Sequence, residues 1–221
     1  MNAEFRINGT VLETQRLRLR AFLQSDLDDF FTYASVAGVG EMAGWKHHEN
    51  REESREILDQ FIREDKTFAV CLKESGRAVG SLGVERYGME DRLTEFDGFS
   101  GRELGFVLSK DCWGKGLMPE AVCAVSEFLF RERGLDFLTC GYYDFNQRSR
   151  RVQEKCGFRP YRKLVFDTRM GTKEPGVLNL LVNPDRPIRF CFSNPETLIW
   201  EELPLSDSTC RKSSHAASFH S

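Results

Sequence analysis

The chain has 221 residues, 40% hydrophobic and 29% charged, a balance suited to a water-soluble globular protein with one well-filled domain and some extra length. Its net charge of −3 argues against bulk nucleic-acid binding, which rests on many phosphate-neutralising cations. No apolar run reaches the length of a membrane span, the N-terminus lacks the apolar core of a secretory signal, and the seven cysteines are odd in number and scattered, without a C-x-x-C pair. Neither a disulfide framework nor a metal site is expected, and a reducing cytoplasm is the expected compartment.

Along the chain, "TQRLRLRAF" (14–22) alternates strictly, with Leu17, Leu19 and Ala21 on one face and Arg16, Arg18 and Arg20 on the other. That period of two predicts a half-buried strand whose arginines form a solvated face. Ser25 opens a helix with Asp28 in its first turn. Asn50 caps a second helix over 50–65, in which Ile57, Leu58, Phe61 and Ile62 make an apolar stripe. Residues 67–87 read as two strands joined by a Ser-Gly turn, and "RELGFVLS" (102–109) as another strand.

The segment "DCWGKGLMPEA" (111–121) follows, and "PEAVCAVSEFLFRERG" (119–134) is predicted to be a helix with proline at its start and glycine at its end. A strand over 137–143, a short helix over 146–158 with Asn146 as cap and Gly157 at its end, and strands over 160–168 and 177–183 complete a mixed α/β domain. The domain is expected to span 12–187. Residues 188–221 form a Ser-rich C-terminal extension, expected to be partly disordered, in which 195–204 is apolar enough to dock.

The first amides of a helix have no intrahelical partner and carry a partial positive charge. Glycines before them let a phosphate approach the backbone, and Lys115 adds a cation. Residues 111–121 are therefore either a simple tight loop or a pyrophosphate cradle. They form neither a Walker A loop nor a G-x-G-x-x-G fingerprint.

A second stretch, Asn146 to Phe158, opens another helix after a strand, with Asn146 and Ser149 one turn apart. Together the two stretches resemble the GNAT superfamily of N-acetyltransferases, and in particular its ribosomal-protein Nα-acetyltransferase-like branch. The family's [RQ]-x-x-G-x-[GA] falls on Trp113 to Met118, entered from Glu103-Leu-Gly105. Its N-x-x-S-x-x-(V/L)-x-E-K-x-G-F falls on Asn146 to Phe158 without a gap. "LETQRLRLRAF" and "GWKHHENREES" also look like that branch, so the resemblance covers about residues 12 to 170.

The resemblance implies a mixed, mostly antiparallel central sheet flanked by helices, and acetyl transfer from acetyl-CoA to a primary amine, with no metal. It implies acetyl-CoA contacts from Phe106, Val107, Leu108, Trp113, Gly114, Lys115, Gly116, Leu117, Met118, Asn146 and Ser149. An amine must lose a proton before it attacks, and a lysine holds its proton to a pKa of about 10.4. Glu103 is the candidate base, with Glu85 in reserve. An amide near Phe106 to Leu108 is the candidate oxyanion donor, and Ser149 or a water it holds is the candidate partner of the leaving thiolate. Trp45 and His48 are candidates for the amine pocket. His47 is expected to be solvated, and Cys112 and Cys156 to be packing residues.

The sequence departs from the family pattern at three positions: Trp113 stands for Arg or Gln, Met118 for Gly or Ala, and Gln153 for the tyrosine that often protonates the thiolate. These departures leave a second reading open, an acetyl-CoA-binding module without transfer. The acceptor could be a protein N-terminus, a lysine or a small amine, and the assembly a monomer or homodimer.

Overall fold

The computed structural model describes residues 2–87, 96–186 and 188. Its strands are β1 (Leu12–Glu13), β2 (Leu17–Ala21), β3 (Thr67–Leu72), β4 (Ala78–Glu85), β5 (Gly101–Leu108), β6 (Phe137–Tyr143), β7 (Arg159–Asp167) and β8 (Lys173–Val182). The helices are α1 (Leu27–Ala34), α2 (Arg51–Glu64), α3 (Leu117–Arg131) and α4 (Gln147–Lys155). One sheet runs β1-β2-β3-β4-β5-β6-β8-β7. Every pairing is antiparallel except that of β5 with β6.

Helices cover both faces of the sheet. On one, α3 sets Ala121, Val122, Val125 and Leu129 against Leu17, Leu19, Phe68, Val70 and Leu104. On the other, Phe30, Tyr33 and Leu58 of α1 and α2 pack on Ala69, Cys71 and Ala78. Because β3 and β4 are covered on both sides, they read as continuous apolar runs rather than alternations. A third cluster, Tyr87, Phe96, Phe137, Tyr161, Leu178 and Leu180, fills the end near β7 and β8.

The expected order of elements is present, and the short β1 is added to it. The folded unit also begins before the expected start at Leu12. Phe5 and Ile7 are buried in the main core, and the Ile7 amide donates to the Asp65 carbonyl at 2.7 Å. Beyond Ile188, the expected C-terminal extension lies outside the described residues. The arginine face is not simply solvated. Arg20 makes a two-bond pair with the buried Asp26 at 2.7 and 2.8 Å, and Arg16 braces the glycine loop described below. No disulfide joins the five described cysteines to one another. Among the described residues no helix is long and apolar enough to cross a membrane, and no cluster of His, Cys, Asp and Glu is arranged to hold a metal ion.

Candidate active site

The site begins where the parallel pairing stops. β5 and β6 pair only through Gly101↔Phe137, Arg102↔Leu138 and Glu103↔Thr139, although β5 runs on to Leu108 and β6 to Tyr143. Beyond Glu103 the strands part and a cleft of about 520 Å³ opens between them. The register fixes which backbone groups face it. Ser109 N–H donates to the Val79 carbonyl at 2.7 Å, so Val107, Gly105 and Glu103 bond toward β4 by alternation. Leu104 N–H closes the last pairing, Glu103↔Thr139, so the groups turned toward the cleft are the Leu104 carbonyl and the N–H and C=O of Phe106 and Leu108. A strand edge left open in this way is a template for an extended, amide-bearing ligand. The Leu108 carbonyl is already taken, by Trp113 Nε1–H at 2.8 Å.

Glu103 and Gly105 line the same cleft with Val107. A Cβ on Gly105 would meet nothing within 4 Å, so the floor beside Glu103 is open. Glu85, directly opposite Glu103 in the ladder, does not line the cleft and is paired with Lys66 at 2.7 Å.

The glycine loop enters α3 through two left-handed residues, Gly114 (φ +77°) and Gly116 (φ +76°), conformations that favour glycine. The helix starts at Leu117, two residues before the expected Pro119. Proline is tolerated there because first-turn amides lack intrahelical partners anyway. Gly114, Gly116, Leu117 and Met118 all line the cleft.

Lys115 does not line it. Its side chain is exposed, and its carbonyl accepts from the Arg16 guanidinium at 2.8 Å. Arg16 also binds Glu120 in the first turn of α3, at 2.7 Å, and Glu120 in turn accepts from Thr14 Oγ1. This brace joins elements more than a hundred residues apart, so no local pattern announces it. Trp113 contributes its ring face: the Arg148 guanidinium lies 4.7 Å from its centre. Arg148, Arg151 and Lys155 all line the cleft from α4.

The N-terminus of α4 is tied down by Asn146, whose side chain bonds through both its oxygen and its nitrogen. Its Oδ1 caps the helix by accepting from Ser149 N–H at 3.1 Å, and its Nδ2 donates to the Met42 carbonyl at 2.9 Å. Asn146, expected as a contact to acetyl-CoA, thus couples α4 to the loop that closes the other end of the cleft. Ser149 lines the cleft, and Gln153 Nε2 donates to its hydroxyl oxygen at 3.0 Å.

That other end is formed by Val39, Met42, Ala43, Tyr143 and Phe166. Sequence reasoning did not single out Tyr143. It sits at the end of β6 in T-shaped contact with Phe166, and burial, then the Glu174 and Glu103 charges, raise its hydroxyl pKa. A Cβ on Gly44 would fall 2.2 Å from its hydroxyl, so a glycine there makes room for the ring.

Trp45 and His48 do not reach the cleft. His48 is buried with Nδ1 2.7 Å from Ser54 Oγ, and its ring stands between Phe30 and Trp45. Burial lowers its pKa. Both residues back the closing loop rather than line it, because their apolar surface is used to join α1 to α2. His47 is not free in solvent either: its ring Nδ1 and backbone N–H reach Glu41 Oε1 at 2.7 and 3.2 Å. Cys112 lines the cleft from a buried position, and burial raises its thiol pKa; Cys156 Sγ rests 3.5 Å from the Pro119 carbonyl. Both fit packing roles.

The family model for the acetyltransferase (GNAT) domain matches residues 16–159. The chain is 29% identical over 137 residues to "Probable N-acetyltransferase YjcK" of Bacillus subtilis strain 168, covering 62% of this chain and 71% of that protein. It is 22% identical over 153 residues to "Uncharacterized N-acetyltransferase YoaA" of the same organism, covering 67% and 82%. In fold it is similar to a GNAT-family acetyltransferase of Bacillus anthracis, with TM-score 0.68 and 22% identity over 79% of this chain and 99% of that one. It is also similar to the ribosomal-protein-S5-alanine acetyltransferase of Vibrio fischeri, with TM-score 0.61 and 18% identity over 81% of this chain and all of that one.

Proposed function

Given that the chain is an acetyltransferase belonging to the GNAT family, we propose that it transfers acetyl from acetyl-CoA to a primary amine by direct attack within a ternary complex. The observation that carries this reading is the parting of β5 from β6. It leaves the Leu104 carbonyl, the Phe106 backbone groups, the amino end of α3 and Glu103 around one cleft.

The residues present fit acetyl-CoA. Two left-handed glycines and the unpartnered first amides of α3 suit a pyrophosphate, and the α4 cations add charge of the right sign. The open β5 edge suits the amide-bearing arm. Glu103, directly or through water, takes the proton that the amine must lose. An amide of the open β5 edge, Phe106 first, donates to the oxyanion that develops on the acetyl carbonyl. The Ser149 hydroxyl donates to the departing sulfur. Tyr143 and Phe166 line the cleft together with Glu103, which suits an amine on an apolar stem, whether a protein N-terminus, a lysine or a small amine.

The test is release of free thiol from acetyl-CoA with a panel of such amines. Amine-dependent release is expected, and acetyl-CoA should raise the melting temperature because it binds only the folded chain. No release with any amine, or no thermal shift at millimolar acetyl-CoA, would remove the reading.

A further inference from the structure

We propose that Gln153 and Asn179 are positioning residues that fix the Ser149 hydroxyl as a donor into the cleft, aimed at the thiolate released from acetyl-CoA. The inference rests on the acetyl-CoA reading above and deepens it.

The network is determined by one obligate acceptor. Phe137 N–H donates to the Ser100 carbonyl at 3.3 Å, so by alternation Gly141 also faces the β5 side, beyond the point where pairing ends. Its carbonyl has no ladder partner there and can only accept. Gln153, fully buried, supplies the donor: its Nε2 lies 3.1 Å from the Gly141 oxygen. That contact sets the orientation of the amide, since the flipped form would place oxygen against oxygen. The second hydrogen of Nε2 goes to Ser149 Oγ at 3.0 Å. The Gln153 Oε1 accepts from Asn179 Nδ2 at 2.9 Å, and Asn179 is buried on β8.

Ser149 Oγ is therefore an acceptor on its buried side. Its own hydrogen has no acceptor among the described residues, and the residue lines the cleft. A hydroxyl held in this way can only present its hydrogen outward. In the reaction the amine nitrogen attacks the acetyl carbon, the C–N bond forms, and the C–S bond breaks with its electron pair going to sulfur. Glu103 or water accepts the amine's proton. Ser149 holds the thiolate through a hydrogen bond without giving up its proton, and the sulfur is protonated from solvent on release, where an ordinary thiol has a pKa of about 8.5. Gln153, at the position where the family often has a tyrosine, thus acts through Ser149 rather than as an acid.

The test needs no acceptor. Coenzyme A is bound to the wild-type chain, affinity is measured first by calorimetry, and the bound thiol is titrated by the ultraviolet absorbance of its thiolate. The bound thiol pKa is expected to fall by about one unit, a tenfold gain in thiolate at a given pH. Ser149→Ala and Gln153→Met are both expected to return it close to the solution value while still binding desulfo-coenzyme A. If Gln153→Met does not fold, Asn179→Leu removes the donor that holds the amide and is expected to lose part of the shift. A Gln153→Met or Asn179→Leu variant that titrates like wild type overturns the inference, as does a wild-type thiol at its solution pKa. Failure of coenzyme A to bind at all is a different result: it overturns the acetyl-CoA reading and takes this inference with it.

Discussion

The Arg148 guanidinium lies 4.7 Å from the centre of the Trp113 indole, whose own N–H is bound to the Leu108 carbonyl. The aromatic side chain that replaces the family's Arg or Gln therefore holds a cation from the next helix at the same loop. A cation–π contact of this kind contributes about 0.5–2 kcal/mol. Trp113→Leu and Arg148→Met should each weaken coenzyme A binding several-fold, and the double variant should lose little more than either alone. Calorimetry on the four proteins checks this; strictly additive losses would show that the two residues act separately.

Gly105→Val should abolish coenzyme A binding with little change in melting temperature. A side chain there meets open space and suits a strand, but it would stand on the cleft floor. Gly116→Val is a poorer test of the cradle, because Gly116 is in the left-handed region and a branched residue would strain the fold itself. Unchanged affinity in a folded Gly105→Val protein would move the binding site away from β5.

Glu103→Gln should lower turnover by about a hundredfold to ten-thousandfold, the usual range for a general base, with coenzyme A affinity near wild type. The low-pH limb of the rate profile should flatten, since that limb reports titration of the base. Wild-type turnover in the folded variant would remove Glu103 from the chemistry. Glu85, held by Lys66 outside the cleft, would not replace it, and a water chain would be the remaining route.

Glu41 staples the loop that brings Met42 and Ala43 to the cleft. Burial pushes its carboxyl pKa up, but hydrogen bonds from His47, from its own amide and from the Gly38 amide outweigh burial and hold it at about 2, against an ordinary 4.5. A carboxyl depressed in the folded state stabilises fully above its unfolded pKa and loses that contribution as pH falls toward its folded one. Glu41→Gln should therefore melt below wild type at neutral pH, and the gap should close as pH falls from about 4.5 toward 2. Thermal melts across that window are the check; a gap that does not change with pH would mean the carboxylate charge contributes nothing.

A chain ending at Ile188 should fold. Ile188 packs on the cluster around Phe137, whereas "SDSTCRKSSHAASFHS" carries few core residues. Cooperative melting with an unchanged near-ultraviolet dichroism spectrum is expected. A molten spectrum would show that residues 189–221 belong to the core.

What the sequence determined by itself was whatever a few neighbouring residues decide. Asn50 and Asn146 cap their helices as their spacing to Glu53 and Ser149 requires, because a cap is settled within one turn. Leu17 and Leu19 are buried as their alternation requires, and Gly114 and Gly116 shape the loop that their clustering marks. Glu103, Phe106 to Leu108, Gly116 to Met118 and Ser149, which the ordered motifs mark, line one cleft. Tertiary structure decided what depends on distant partners. Lys115 offers a lone cation in sequence, but Arg16 claims its backbone and its side chain stays outside the cleft. Trp45 and His48 precede α2 as a candidate wall, yet His48 is buried against Phe30 and the half-buried Trp45 packs on it, so neither lines the cleft. Gln153 looks like the loss of an acid until the parting of β5 and β6 leaves the Gly141 carbonyl in need of a donor. A strand edge opened by a register that ends early is a property of two strands more than thirty residues apart, so no window along the chain contains it.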